Sequence, residues 1–185
     1  SVSIAFSQSM PPGTYTSTNK KAIKYYEESK QMFQVRKDIE AEKFVKKAIE
    51  EDPNFLEAHS AYGQLLLSKN RIKEAITIYE KAVQINPKIF VENHYYLGVS
   101  YLNEAQYEKA IPCLETIIKT ERINPTIKEE AARYLKNAKF GADAIKHPQT
   151  FKPINVGAGI NTAEFEYFPA LTADGNTFLF TRNIR

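Results

Sequence analysis

The sequence predicts a mostly α-helical solenoid of three helix pairs and a closing helix, followed by a short β segment. Three observations lead there. Small residues and prolines recur at a fixed step. Ala41, Ala75 and Ala110 stand 34 and then 35 residues apart, while Ala48 with Ala82 and Pro53 with Pro87 keep the 34-residue step. Between these markers apolar residues recur at helical spacing. After His147-Pro148 helix formers thin out, and Asp174-Gly175 stands between two aromatic runs, the signal of a β-hairpin.

Residues 1–19 lack periodicity and hold Pro11, Pro12 and Gly13. They are expected to be a flexible arm or the remnant of a signal peptide, since Ala5-Phe6-Ser7 has the small-x-small form of a cleavage site. Asn19 is a candidate N-cap for a first helix carrying Ile23, Tyr26, Met32 and Phe33. Asp38 is expected to cap a second helix with Ile39, Phe44, Val45, Ala48 and Ile49 inward; Asp52-Pro53-Asn54 ends it. The second unit is the clearest, with helices from about Phe55 to Ser68 and Ile72 to Ile85. Gly63 and Ala75 are small where the two must approach closely. The third unit spans about Val91–Leu102 and Tyr107–Lys119, one residue having been inserted near Lys88-Ile89-Phe90. Pro112 falls inside its second helix, where it removes a backbone hydrogen bond. A seventh helix, about Thr126 to Lys146, offers Ala131, Leu135, Ala138, Phe140 and Ile145 and suits a closing element with a polar outer face. Three parts follow: the arm at 1–19, the solenoid at 20–147 and a β-rich tail at 148–185.

Composition excludes several functions. The net charge is only +3, and Lys and Arg are interleaved with Asp and Glu, as in Lys69–Arg71–Lys73–Glu74. That pattern is a solvated helix surface, not a nucleic-acid footprint. No apolar run approaches the ~20 residues that cross a bilayer. Cys113, the single cysteine, lies on an apolar face and is expected to be a small buried hydrophobe. His59 and His94 occupy equivalent repeat positions with no further ligands in view, so no metal is expected. No phosphate loop, nucleophile–base set or paired carboxylates form a motif. Neither cofactor nor catalysis is expected.

The repeats resemble the tetratricopeptide repeat family over residues 20–123. The second unit carries Gly63, Ala75, Tyr79, Ala82 and Pro87, the first Ala41, Val45, Ala48 and Pro53, the third Leu97, Gly98, Tyr101, Ala110 and Leu114. Tyr25, His59 and His94 stand where an aromatic often opens the motif. The tail, through Pro169-Ala170-Leu171-Thr172-Ala173-Asp174-Gly175 and Phe178-Leu179-Phe180-Thr181, resembles the first blade of TolB-like, WD40-like propellers. This order of parts is similar to the N-terminal portion of Bacteroidetes envelope proteins that join such repeats to a propeller and an OmpA-like peptidoglycan-binding domain. Some of these belong to the type IX secretion and gliding apparatus.

The resemblance implies a non-enzymatic protein-interaction scaffold, periplasmic or outer-membrane-associated, working within an envelope complex. Peptidoglycan binding carries over to no residue of this chain. The alternatives are a stand-alone cytoplasmic adaptor and a regulatory domain of a larger enzyme. In the family the first helix of each unit lines a concave groove that holds a protein or peptide. The matching positions are Tyr26, Lys30 and Phe33, then Glu57, Ser60 and Gln64, then Glu92, Tyr95 and Val99. Leu67 and Leu102 also map to that face, and they and Phe33 are expected to pack repeat on repeat. One subclass grips C-terminal carboxylates with cations here. Of the matching Tyr26, Lys30, Ala61, Glu92 and Tyr96, only Lys30 is cationic, so that clamp is absent.

Overall fold

The computed structural model describes residues 14–148, 157, 166–171 and 177–182. The chain divides into two compact units, Ser1–His147 and Pro148–Arg185. In the first, seven helices follow one another: α1 (Lys20–Gln34), α2 (Asp38–Glu51), α3 (Leu56–Ser68), α4 (Ile72–Ile85), α5 (Glu92–Asn103), α6 (Tyr107–Lys119) and α7 (Pro125–Lys146). Each packs chiefly on its sequence neighbours, with α5 also touching α7. This is the solenoid arrangement of a tetratricopeptide-like fold.

The pairs α1–α2, α3–α4 and α5–α6 close on small residues. A Cβ on Gly63 would stand 2.5 Å from the Tyr79 ring, and one on Gly98 would stand 2.9 Å from Leu114. Ser29 holds the same place in the first pair, its hydroxyl donating to the Ala41 carbonyl at 3.0 Å. Around these contacts Ala22, Val45, Ala48, Leu66, Ala75, Tyr79, Leu97, Leu114, Ile117, Ala131 and Ala138 form one continuous core.

The turn inside each pair is repeated in detail. Arg36, Asn70 and Ala105 take left-handed φ of 58°, 56° and 53°. Each is bracketed by two backbone bonds: Arg36 N–H to Phe33 and Lys37 N–H to Met32, Asn70 to Leu67 and Arg71 to Leu66, Ala105 to Leu102 and Gln106 to Tyr101. This is the Schellman closure, which satisfies the last carbonyls of one helix. The next helix then starts without a side-chain cap at Lys37, Arg71 or Gln106. Asp38, expected as a cap, is instead the first helical residue, where its charge favours the helix N-terminus. The left-handed turn brings the backbone straight into the second helix and leaves no extended residue for a capping side chain. Asn19 and Asn124 do cap α1 and α7, and Pro125 takes the first turn of α7. The inserted residue before α5 is absorbed by Phe90 at φ 53°, after Asn86 has turned the chain by accepting from the Lys88 and Ile89 amides.

Three expectations are corrected. Ile39 is 81% exposed, because the buried face of α2 is the one that carries Ala41, Val45 and Ala48. Phe140 and Ile145 are 75% and 65% exposed, although α7 still lies against α6 here, with Gly141 on the Tyr107 ring and Lys146 paired with Glu108 at 2.9 Å; the two side chains lie beside that contact and not under it. The arm is not structureless up to residue 19: Tyr15, Thr16 and Ser17 are packed down, whereas residues 1–13 lie outside the described set. Pro112 sits inside α6 on its exposed side, where the helix continues through it.

The first two repeats are stitched by charge. Glu42 on α2 receives Lys46 at 2.8 Å, Lys69 at 3.1 Å and Arg71 at 2.8 Å, with the Tyr62 hydroxyl at 3.3 Å. Partial burial pushes its carboxyl upward, but the bonds from Lys46, Arg71 and Lys69 outweigh this and hold it at about 2.

In the second unit β1 (Glu166–Leu171) pairs antiparallel with β2 (Phe178–Arg182). The pairing slips by one residue between Tyr167 and Ala170, the stretch that contains Pro169. Proline gives no N–H to a ladder, and a bulge is where a strand tolerates it. The Asp174-Gly175 turn lies outside the described residues.

Two measurements check this account. Ala105→Gly relieves the left-handed strain and raises stability by about 0.5–1 kcal/mol, while Ala132→Gly on exposed α7 lowers it by about 1 kcal/mol; thermal melts of both give opposite signs. The stabilisation from Glu42 is complete above its unfolded value near 4.5 and drains as pH falls toward 2. Denaturant titrations from about pH 5 to about pH 2 therefore show a steeper loss for the native chain than for Glu42→Gln, by about 1–2 kcal/mol; parallel losses would contradict the charge knot.

Candidate functional site

The first helices of the pairs, α1, α3 and α5, carry the candidate residues at matching register. Tyr26, Ser60 and Tyr95 form one row, and Lys30, Gln64 and Val99 the next, one helical turn further along. Phe33, Leu67 and Leu102 form a third row, half-buried against the core, and pack repeat on repeat.

The structure separates these rows into residues already engaged and residues still presented. Tyr26 is only 1% exposed, so it offers no surface to a partner as placed here. Its ring meets Phe55 at 5.0 Å and is covered by Tyr15 at 5.7 Å. Burial, with Glu57 adding to it, raises its hydroxyl well above the usual tyrosine range. Glu57 is 6% exposed and accepts from Thr16. Ser60 spends its hydroxyl on the Leu56 carbonyl at 3.0 Å. Tyr95 donates to Glu130 of α7 at 2.6 Å and lies 6.4 Å from the Tyr134 ring. Burial and that carboxylate raise its hydroxyl too. Tyr95 is therefore a tie between the third repeat and the closing helix as well as a groove residue.

Half-buried Lys30, Gln64, Glu92 and Val99 remain along the face. Lys30 pairs with Glu27 at 3.1 Å and lies 5.5 Å over the Tyr26 ring. The carboxylates of Glu27, Glu57, Glu92 and Glu130 outnumber Lys30 and Arg133, the latter lying over the Tyr134 ring at 5.1 Å, so the face leans acidic. Sequence reasoning overlooked Glu27 and Glu130. Both stand at the periodic positions of Ala61 and Tyr95, and extending the register through α7 finds Glu130.

Elsewhere the chemistry is structural. His59 donates from Nε2 to the Pro53 carbonyl at 2.9 Å, and His94 repeats this with Pro87 at 3.2 Å. Burial lowers both imidazoles, so they stay neutral near pH 7 and tie each helix start to the preceding loop. Burial, with Glu80 nearby, pushes the Cys113 thiol up to about 11, which leaves it protonated and a poor nucleophile. Among the described residues no group of three or more His, Cys, Asp or Glu is placed to hold a metal ion. No helix among them is long and apolar enough to cross a membrane.

Family models described as "Tetratricopeptide repeat" match residues 39–88 and 91–124. Over these segments the chain is similar to tetratricopeptide repeats. The segments take in α2 to α6, and α1 completes the first pair in the same register. Among solved structures, MamA from Desulfovibrio magneticus RS-1 is 22% identical with a TM-score of 0.59, over 70% of this chain and 71% of that one. The first TPR of Spaghetti (RPAP3), bound to the HSP90 peptide SRMEEVD, is 18% identical with a TM-score of 0.58, over 68% and 95%. The TPR2B domain of yeast Sti1, in complex with pHsp70, is 21% identical with a TM-score of 0.56, over 65% and 97%. Identities this low establish the fold alone. No curated protein matches the sequence.

The tie between α5 and α7 is directly testable. Tyr95→Phe removes one hydrogen bond to a charged acceptor, costing about 1.5 kcal/mol, and speeds amide exchange in α7 more than in α1. Equal exchange in both helices would show that Glu130 does not depend on Tyr95.

Proposed function

We propose that the chain is a non-catalytic interaction scaffold that holds an extended segment of a partner protein along the face of α1, α3 and α5. The observation that carries this reading is the row Lys30, Gln64 and Val99. It runs across three repeats at one register and is half-buried at each position, whereas Tyr26 in the adjoining row is closed over by Tyr15. Solved repeats of the same fold are described as bound to chaperone peptides, which supports a peptide as the occupant. The peptide SRMEEVD in one of them is acidic. The face described here carries Glu27, Glu57, Glu92 and Glu130 against Lys30 and Arg133. It suits a segment with neutral donors or basic side chains and repels an acidic tail.

We propose a bacterial-envelope placement for the same scaffold, a reading supported by the resemblance of the Pro169–Gly175 stretch to a propeller blade and by Ala5-Phe6-Ser7. Outer-membrane or secretion partners follow from that placement. A cytoplasmic adaptor built on the same groove is the competing reading, and fractionation of cells that produce the chain separates the two.

For the groove itself the test is photocrosslinking. A photoreactive residue at position 64, on the groove side, captures a partner in whole cells; the same residue at exposed position 77 on α4 does not. Gln64→Arg with Val99→Arg abolishes the capture and shifts stability by less than about 1 kcal/mol. Capture from position 77 alone would move the binding surface to the second helices and end this reading.

A further inference from the structure

One end of the groove is already filled by the chain itself. Tyr15 sets its ring edge-on to Tyr26 and to Phe55, at 5.7 and 5.8 Å, and its hydroxyl donates to Glu27. The Thr16 amide donates to Glu57 Oε1 at 2.9 Å, and its hydroxyl donates to the second oxygen of that carboxylate. The same hydroxyl accepts from the Leu56 amide at 3.0 Å. It stands where the cap of α3 belongs, because Phe55 in the cap position supplies no acceptor. An aromatic slot and a carboxylate–amide pair thus receive one ring, one backbone N–H and one hydroxyl.

Nothing in this chemistry requires the donor segment to be joined to α1. Any extended peptide with an aromatic residue followed by threonine or serine supplies the same three groups. Departure of the arm also strands no charge: Glu57, buried here under neutral donors, passes to water. Glu27 and Glu57 together set the selectivity. An acidic residue, or a phosphate on the hydroxyl, would meet two carboxylates in a partly buried site.

We propose that Tyr26, Phe55 and Glu57 form a peptide-binding subsite for an aromatic–Thr/Ser pair, and that Tyr15–Thr16 is its tethered occupant, exchanged for a partner segment of the same pattern. This rests on the groove reading above and deepens it at the first-repeat end. A short tether holds the arm at an effective concentration of order millimolar, so an incoming segment competes against that value.

The probe is a fluorescent synthetic peptide of the sequence Pro11 to Asn19, added to the full chain and read by anisotropy. It is expected to bind the Tyr15→Ala/Thr16→Ala variant at least tenfold more tightly than the native chain, whose subsite is occupied. Adding Glu57→Ala to that variant, or phosphate to the peptide threonine, is expected to lose at least tenfold of that affinity. Equal binding to the native chain and the variant overturns the proposal, as does binding to neither. Loss of the variant's cooperative melting also overturns it, because an exchangeable occupant is not required for folding. The peptide stands in for no natural partner, so a failure here leaves the crosslinking result at position 64 untouched, and a failure there leaves this one untouched.

Discussion

Everything in the solenoid depends on how closely the first helix of each pair lies on the second. At Gly63 there is no room for a methyl group between the backbone and the Tyr79 ring, and Gly98 is held against Leu114 in the same way. That approach lets a buried tyrosine or leucine span the pair instead of propping it open. It also fixes the turn. Two helices so close, joined by three residues, must reverse at once, and the left-handed residue with its two bracketing hydrogen bonds does this. Once the turn is set, the second helix starts without a cap. Side chains then tie one repeat to the next: Glu42 with its cations, and His59 and His94 with the carbonyls of Pro53 and Pro87.

How much of this could be read from the sequence follows from the range of each interaction. The helices fall within about a residue or two of the periodic expectation, because apolar spacing and the Pro53 and Pro87 stops are local signals. The cap at Asn19 was legible for the same reason. Asp38 was not, since whether an acidic residue caps a helix or opens it depends on the dihedral of its predecessor. The burial of Tyr26 could not be read at all: its cover comes from Tyr15, and the partner of Glu57 lies 41 residues away. Phe140 and Ile145 misled because an apolar stripe on a helix does not say which of its residues the neighbouring helix covers. In the β unit the strands were legible as aromatic runs, and the one-residue slip at Pro169 was not, because it is a property of the pair.

The groove shows why fold and recognition part company in this architecture. The positions that define the repeat, Ala75, Ala82 and Gly63 among them, point inward and fix only the scaffold. The candidate groove positions are free to vary, and here they hold carboxylates and tyrosines beside Lys30, Phe33, Ser60, Gln64 and Val99. Two of those tyrosines have been drawn into structural work, one under the arm and one against α7. The acceptor-rich floor left behind is what distinguishes this face chemically from one built to grip an acidic tail.

The packing of each helix chiefly on its sequence neighbours has a last consequence. Among the described residues no extensive contact joins the first repeat to the third, so coupling between the two ends passes mainly through the repeat between them. A ligand that orders the α1–α3 end therefore alters the free energy of the adjoining interface and little else. The two ends act as nearly independent compartments, so one chain is able to carry two weak contacts at once and gain by their sum, without either site having to reshape the other.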